Sequence, residues 1–202
     1  MKIAVYGATG MIGSDIVAEA VSRGHEVTAY SRNGGEVAGI SVHAADLADA
    51  DTFAQVAEAN DAVVLATSPS RTGDPHSIWL DALATAIANA ASTRLLVVGG
   101  AGSLIVDGKR ILDSPDFPDE IKPEALSGFA ALEKLRNESP NELDWVMLAP
   151  APSIEPGVRT GSYKSELDTP AGESISTEDF AVAMLDEIET PKHHRTRFTV
   201  AN

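Results

Sequence analysis

At 202 residues, 44% of them hydrophobic, the chain is long enough for one domain with a sizeable core. Its 30 acidic and 15 basic residues give a formal net charge of −15, which repels phosphate backbones and anionic lipids and argues against nucleic-acid or membrane binding as the main activity. No cysteine is present, so a disulfide framework, a thiolate nucleophile and a cysteine-based zinc site are excluded.

The first predicted elements are a strand over residues 2–6, a tight turn and a helix with apolar residues at helical period. Three glycines mark the turn. Gly7 permits the sharp bend, Gly10 lets the backbone approach a pyrophosphate, and Gly13 lets the helix pack closely on the strand. The amino terminus of the helix adds unpaired N–H groups. We predict that this turn holds the diphosphate of a dinucleotide; the alternative is a tight turn without a ligand.

The spacing of these glycines resembles a known signature. Residues 7–13 read Gly-Ala-Thr-Gly-Met-Ile-Gly and are similar to the G-A-T-G-x-x-G signature of extended and atypical short-chain dehydrogenase/reductases, a superfamily of nicotinamide-cofactor proteins. The resemblance implies a Rossmann fold. It also adds Thr9, Met11 and Ile12 to the expected cofactor contacts.

Residues after the second predicted strand, 26–30, bear on the choice of cofactor. An acidic residue there would bind the ribose 2′-hydroxyl of NAD, whereas this chain has Ser31, Arg32 and Asn33. A hydroxyl and a guanidinium suit a 2′-phosphate. We therefore predict that NADP(H) is preferred over NAD(H); the alternative for Arg32 is an exposed loop arginine without a ligand.

Asp46 and Leu47 follow the third predicted strand, residues 40–44. In the resembling family an aspartate and an apolar residue at this point lie beside the adenine, which makes the two residues candidates for its edge and face. Capping of a turn by Asp46 is an equal alternative. A short amphipathic helix is predicted next, over residues 49–59.

The fourth predicted strand, residues 61–66, is apolar throughout, as expected of a parallel strand covered on both faces. Ala66, Thr67 and Ser68 lie at its carboxyl end, where open α/β sheets bind ligands. The resemblance places a small polar loop under the cofactor ribose at this point. A long helix follows, and His76 in its first turn either faces the substrate or is simply exposed.

A glycine run, residues 99–102, follows the fifth predicted strand and lacks the Lys-Ser/Thr of a Walker loop. With the Leu-Asp-Ser-Pro-Asp-Phe-Pro of residues 112–118, it resembles a bacterial atypical short-chain dehydrogenase subgroup described as NADH-flavin reductases. Animal flavin and biliverdin reductases and NmrA-like regulators are related more distantly. The resemblance implies that Gly100 contacts the cofactor and that Ser103, the one predicted catalytic residue, donates a hydrogen bond to the acceptor.

The chain departs from the wider family in its tyrosines. Ordinary members carry Tyr-x-x-x-Lys, in which the lysine and the cofactor lower the tyrosine pKa for proton exchange with an alcohol or ketone. None of Tyr6, Tyr30 and Tyr163 has a lysine four residues on. The missing motif disfavours alcohol dehydrogenation and favours a conjugated acceptor, with FMN or FAD as a substrate, because an electrophilic ring accepts hydride directly.

A helix over residues 120–138 precedes the sixth predicted strand, 143–149, which ends at Pro150 and Ala151. Proline lacks a backbone donor and forms a rigid apolar surface. The resemblance places these residues against the nicotinamide ring. The alternative is a stiff exit from the sheet.

Residues 153–172 are rich in Gly, Pro, Ser and Thr and predict a small hairpin that overhangs the cofactor. Arg159 and Tyr163 are its candidate substrate contacts. A helix over 177–189 and a final strand over 197–201 complete the chain.

Together these elements predict a parallel, doubly wound α/β sheet in a single NAD(P)-binding domain, residues 1–202, with 153–202 as its substrate-side lobe. The first functional hypothesis is a reductase that passes hydride from NAD(P)H to a flavin, quinone or similar small-molecule acceptor. The second is an NmrA-like redox sensor that binds the cofactor without turnover. A nucleotide-sugar epimerase, which normally needs the absent tyrosine, is a third.

Location and assembly are less constrained. No apolar run approaches the roughly 20 residues that cross a bilayer, and the chain begins without a basic leader, so we expect a cytoplasmic protein. Monomer and homodimer both remain open. No metal site is predicted, because adjacent histidines at 193 and 194 point apart.

Overall fold

The computed structural model describes residues 1–202 and has a central sheet with helices on both faces. The helices are α1 Met11–Ser22, α2 Ala50–Ala59, α3 His76–Asn89, α4 Lys122–Glu138 and α5 Thr177–Glu189. The strands are β1 Lys2–Tyr6, β2 Glu26–Ser31, β3 Gly35–Val37, β4 Ile40–Ala44, β5 Ala62–Leu65, β6 Arg94–Val98, β7 Ile105–Val106, β8 Lys109–Arg110, β9 Trp145–Ala149, β10 Ser153–Glu155, β11 Lys164–Glu166, β12 Ser174–Ser176 and β13 Thr196–Ala201.

The main sheet has nine strands in the order β11-β13-β9-β6-β5-β1-β2-β4-β3. Its seven inner strands are parallel, and an antiparallel strand closes each edge. The chain order reverses at β1, which lies between β2 and β5, as in the doubly wound dinucleotide-binding fold. The predicted Rossmann-type fold class is therefore confirmed.

Alternate residues of the parallel strands face two different helix layers. In β1, Ile3 and Val5 pack with α1 and α5, whereas Ala4 and Tyr6 pack with α2, α3 and α4. All four side chains are buried. Because both faces of the sheet are covered at its centre, strands β1, β5, β6 and β9 are apolar without alternation. No helix has the length and apolarity needed to cross a bilayer.

The structure adds two short hairpins to the predicted elements. Ala38 and Gly39 connect β3 to β4, and Asp107 and Gly108 connect β7 to β8. All four residues have positive φ, between 50° and 76°, as in the two-residue type I′ turns that match the twist of a hairpin. Asp-Gly is a recognised signal for this turn, whereas Ala-Gly is not, because alanine seldom adopts positive φ.

The segment predicted as a hairpin is arranged differently. β10 and β12 pair in parallel, and β11, which lies between them in the sequence, pairs with β13 at the edge of the main sheet. The pairing is parallel because the intervening chain crosses to that edge and returns before β12 begins. The segment is thereby joined to the main sheet on one side.

Candidate functional site

Close backbone contacts shape the first turn. Gly7 has φ +79°, and a Cβ there would lie 2.3 Å from the carbonyl oxygen of Ala66. A Cβ on Gly13 would lie 2.1 Å from the carbonyl oxygen of Gly7. The N–H groups of Gly7 and Ala8 both donate to the carbonyl oxygen of Tyr30, at 2.9 and 3.0 Å. The approach of β1, β5 and α1 therefore requires glycine at positions 7 and 13.

The amino terminus of α1 is suited to an anion. Gly10 is the N-cap, and neither a capping side chain nor an acidic residue is present in the first turn. The N–H groups of Met11, Ile12 and Gly13 have no backbone acceptor within the chain. Unpaired donors at the positive end of a helix dipole bind phosphate groups well.

A cavity of about 390 Å³ opens beside this helix end, at the carboxyl ends of β1, β5, β6 and β9. Its walls are mainly apolar and include the rings of Trp79 and Phe117. Ligands of open α/β folds bind at this edge of the sheet. Nine of the predicted cofactor residues line the cavity: Gly10, Met11, Ile12, Ala66, Thr67, Ser68, Gly100, Pro150 and Ala151.

The residues predicted to select the cofactor lie outside the cavity, at the end of β2. Tyr30, whose carbonyl oxygen binds the glycine turn, directly precedes Ser31. The Ser31 hydroxyl donates to the carbonyl oxygen of Gly34 at 2.9 Å. The side chains of Arg32 and Asn33 are exposed and make no ion pair or hydrogen bond within the chain. The Arg32 guanidinium is thus available to a ligand on this side of the turn.

The predicted adenine contacts have local structural roles. Asp46 is exposed, and its Oδ1 accepts a hydrogen bond from the N–H of Ala48 at 2.9 Å, which is the turn-capping arrangement. Leu47 is 6% exposed and packs in the core beneath α2 and α3. Thr9 is exposed and its methyl group lies near Gly35. The adenine role of these residues stays a prediction.

Ser103 does not line the cavity. The residue is 5% exposed, and its Oγ accepts a hydrogen bond from Nη1 of Arg197 at 2.7 Å. Arg197 is itself 3% exposed and also donates through Nη2 to Asp168. The hydroxyl therefore joins the turn after β6 to β13, and this geometry gives no support to its predicted contact with the acceptor.

The two candidate substrate contacts in the 153–172 segment face α1 and α5 instead of the cavity. Arg159 donates to both carboxylate oxygens of Glu19, at 2.7 and 2.8 Å. The Tyr163 hydroxyl donates to Asp186 at 2.9 Å. Neither residue lines the cavity, so this geometry gives no support to the expected substrate contact, which stays a prediction. Both side chains are held by carboxylates that the sequence does not show to be near them.

No tyrosine takes the place of the missing Tyr-Lys pair. Tyr6 is 2% exposed and stacks on Tyr30 with ring centroids 4.8 Å apart. Burial raises the pKa of Tyr6 well above its usual value. Burial also raises the pKa of Tyr163, and the hydrogen bond to Asp186 raises it further. These hydroxyls stay protonated and lie away from the cavity.

One ion pair lies in the cavity wall. Arg71, in the loop after β5, and Glu124, in the first turn of α4, are the only ionisable side chains of the lining. Nε and Nη2 of Arg71 donate to Oε2 and Oε1 of Glu124, at 2.9 and 2.6 Å. Sequence reasoning missed this pair because its members are 53 residues apart and belong to no motif.

The fold and the glycine turn define a dinucleotide-binding protein of the Rossmann type. A family profile described as NAD(P)H-binding matches residues 7–191, and the chain belongs to this family. YwnB of Bacillus subtilis, itself uncharacterized, is 41% identical, with 100% of this chain and 99% of YwnB covered. The predicted likeness to atypical short-chain dehydrogenases is confirmed.

Two solved structures are similar over nearly their whole length. A proposed NADH-flavin reductase from Streptococcus pneumoniae is 35% identical and has a TM-score of 0.91, with 100% of this chain and 99% of that one covered. A proposed epimerase from Bacteroides thetaiotaomicron is 38% identical and has a TM-score of 0.86, with 99% and 96% covered.

Proposed function

We propose that the protein is an NAD(P)H-dependent oxidoreductase that transfers a hydride from the nicotinamide to a flavin, quinone or similar conjugated acceptor. The cavity carries this proposal. It adjoins the amino terminus of α1, its walls are apolar and aromatic, and no tyrosine, histidine or lysine lines it. Such a chamber suits a flat ring and lacks the tyrosine and lysine that carry out the proton exchange of alcohol dehydrogenation.

The residues present fit a nicotinamide dinucleotide. The N–H groups of Met11 and Ile12 would bind the diphosphate, since they have no backbone acceptor and face the cavity. Arg32, unpaired within the chain, would bind the 2′-phosphate, which favours NADPH. Pro150 and Ala151 would cover one face of the nicotinamide. The bound cofactor supplies the hydride.

The chain contributes the positioning of the two rings to this chemistry. Pro150 and Ala151 are buried, and the proline ring is rigid. Thr67 accepts a hydrogen bond from Nε1 of Trp79 at 3.1 Å, which orients the indole in the wall. Holding two rings face to face lowers the barrier by removing the entropy cost of their encounter. The reduced ring takes its proton from water at the open side of the cavity.

The residues of the cavity support an oxidoreductase more than an epimerase. The Streptococcus pneumoniae protein is a proposed NADH-flavin reductase, in agreement with a flat acceptor. The Bacteroides protein is a proposed epimerase, but the tyrosine expected for sugar epimerisation has no counterpart in the cavity of this chain. We therefore do not adopt that activity.

The test measures NADPH consumption by the purified protein in the presence of FMN, FAD or a naphthoquinone, without oxygen. The oxidation of the cofactor and the reduction of the acceptor are both followed. We expect consumption that depends on the acceptor, and none in a Gly13→Ala variant that cannot seat the diphosphate. Tight binding of NADPH by calorimetry without consumption with any acceptor would instead identify a redox sensor and refute the proposal.

A further inference from the structure

We propose that Arg71 recognises an anionic group on the acceptor, so that the substrates are conjugated rings bearing a phosphate, carboxylate or sulfonate. The inference rests on the proposed function and narrows its substrate class. It starts from the composition of the cavity wall, in which Arg71 is the only cationic side chain. The rest of the lining consists of apolar, aromatic, glycine and hydroxyl-bearing residues together with Glu124, and no other side chain in it carries a positive charge.

In the present structure the carboxylate of Glu124 occupies the fork of Arg71. The two hydrogen bonds, 2.9 and 2.6 Å long, are the side-by-side pattern that guanidinium forms with carboxylate or phosphate. A substrate anion would use the same two donors. The Glu124 carboxylate thus occupies the position that the substrate anion would take, and the substrate would displace it from the guanidinium.

Displacing the Glu124 carboxylate from Arg71 costs little free energy. The side chain of Arg71 is 73% exposed and that of Glu124 is 33% exposed. Ion pairs in such a solvated position contribute little to stability, since water screens them and two long side chains lose freedom. Hydrogen bonding to Glu124 raises the pKa of Arg71, and the guanidinium remains charged with or without this partner.

The loop that carries Arg71 is fixed independently of the ion pair. His76 places Nε2 at 3.0 Å from the carbonyl oxygen of Ser70 and Nδ1 at 2.8 Å from the Ser127 hydroxyl on α4. The N–H groups of Thr72 and Asp74 donate to the Ser70 hydroxyl at 3.2 and 3.3 Å. Because the backbone on both sides of Arg71 is held, its side chain can change partner without movement of the loop.

Because the protein is strongly acidic overall, the binding of an anionic acceptor depends on the charge of Arg71. A net charge of −15 repels anions from most of the surface. An acceptor that is itself anionic therefore gains nothing from long-range attraction and depends on a local contact. Arg71 is the residue of the cavity that provides it.

The experiment compares FMN with riboflavin, which share one ring system and differ by a phosphate. Binding to the NADP⁺-saturated protein is measured by quenching of flavin fluorescence. We expect FMN to bind more tightly than riboflavin, and Arg71→Ala to weaken FMN binding about tenfold, equivalent to about 1.4 kcal/mol. Riboflavin binding should change much less. Salt screens the attraction to Arg71 as well as the repulsion by the acidic surface, so raised salt should disfavour FMN binding more in the wild type than in Arg71→Ala.

Glu124→Gln separates recognition from a purely structural link between the loop and α4. If the pair only ties these elements together, the Arg71→Ala and Glu124→Gln substitutions should have the same effect. If Glu124 competes with the substrate, Glu124→Gln should strengthen FMN binding while Arg71→Ala weakens it. Arg136→Ala is the matched control, because Arg136 pairs with Glu133 on α4 but does not line the cavity.

Equal losses for FMN and riboflavin in Arg71→Ala, or an equal FMN-specific loss in Arg136→Ala, would overturn the inference. The proposed function can fail separately. Arg71-dependent preference for FMN without NADPH consumption by any acceptor would refute the reductase and leave anion recognition standing. Equal kcat/KM for FMN and riboflavin, unaltered by Arg71→Ala, would leave the reductase standing and refute anion recognition.

Discussion

Gly13→Ala is the sharpest test of the glycine turn. The added Cβ would lie 2.1 Å from the Gly7 carbonyl oxygen and 3.3 Å from the Ala66 Cβ. Favourable contacts between heavy atoms require about 3.5 Å, so the start of α1 must move away from β1 by about 1.4 Å. Neither obstacle is a flexible side chain. The movement displaces the N–H groups of Met11 and Ile12, which we expect to hold the diphosphate.

Two contributions set the size of the effect. Hydrogen bonds to a charged group contribute about 1.5–3 kcal/mol each, so the loss of two weakens NADPH binding by at least about 100-fold. Overpacking costs about 1–3 kcal/mol of stability, and each kcal/mol lowers the Tm of a domain this size by about 2–4 °C. The variant should therefore still fold but should not bind.

Calorimetric titration with NADPH measures the first contribution, and thermal unfolding followed by circular dichroism measures the second. Gly128→Ala is the control for the stability measurement alone, because Gly128 lines the cavity. Its Cβ meets nothing within 4 Å, and alanine favours the helix by about 0.8–1.0 kcal/mol over glycine. NADPH affinity of Gly13→Ala within threefold of wild type, with a cooperative melt, would show that the diphosphate does not lie at this turn.

Three further outcomes are expected. Arg32→Ala should weaken NADPH binding by about tenfold or more while NADH binding changes little, because only the 2′-phosphate loses a charged partner; calorimetry with both cofactors checks this. Ser103→Ala should lower the Tm, since buried Arg197 loses an acceptor, and should leave kcat with FMN unaltered. Asp179→Asn should lower the free energy of unfolding at neutral pH by about 1.5–3 kcal/mol, measured by urea denaturation, and the difference from wild type should shrink below about pH 4.

The pH dependence follows from the surroundings of Asp179. Burial alone would raise the pKa of this carboxyl, but hydrogen bonds from Thr160, Gly161 and Asn202 outweigh it and hold the pKa below its usual value. A lowered folded-state pKa stabilises the fold above the unfolded pKa, and this contribution is lost as the pH falls through the folded value. A constant difference from wild type down to strong acid would contradict this account.

Arg32→Ala and Ser103→Ala each have an outcome that would contradict the expected role of the residue. An unchanged ratio of NADPH to NADH affinity in Arg32→Ala would show that the residues after β2 do not select the cofactor. A large loss of kcat in Ser103→Ala, at an unchanged Tm, would restore the role that the family resemblance implies for this hydroxyl.

Local periodicity was sufficient to predict the Rossmann core. The central strands β1, β5, β6 and β9 are continuous apolar runs because both faces are buried there, and the glycine turn is a short motif whose spacing reflects backbone contacts near the start of one βαβ unit. Nine predicted cofactor residues line one cavity because each follows a parallel strand or starts α1. The carboxyl ends of such strands meet at one edge, so their proximity follows from topology alone.

Contacts between distant segments could not be predicted in this way. The partner of Ser103 is Arg197, 94 residues away, and the partner of Arg71 is Glu124, 53 residues away. Nothing in the local sequence fixes which way such side chains point. The contacts of Tyr163 could not be predicted for the same reason, because its carboxylate partner lies on α5.

The packing of α1 against α5 has a consequence for how the protein is made. Ile16 and Val17 of α1 share one buried cluster with Phe180 of α5, and Arg23 reaches Asp186 across 163 residues. Because α1 is synthesised long before Phe180 and Asp186, the apolar stripe of α1 stays exposed in the nascent chain until α5 has been made. Covering this stripe requires the closure of a very long loop, which slows folding.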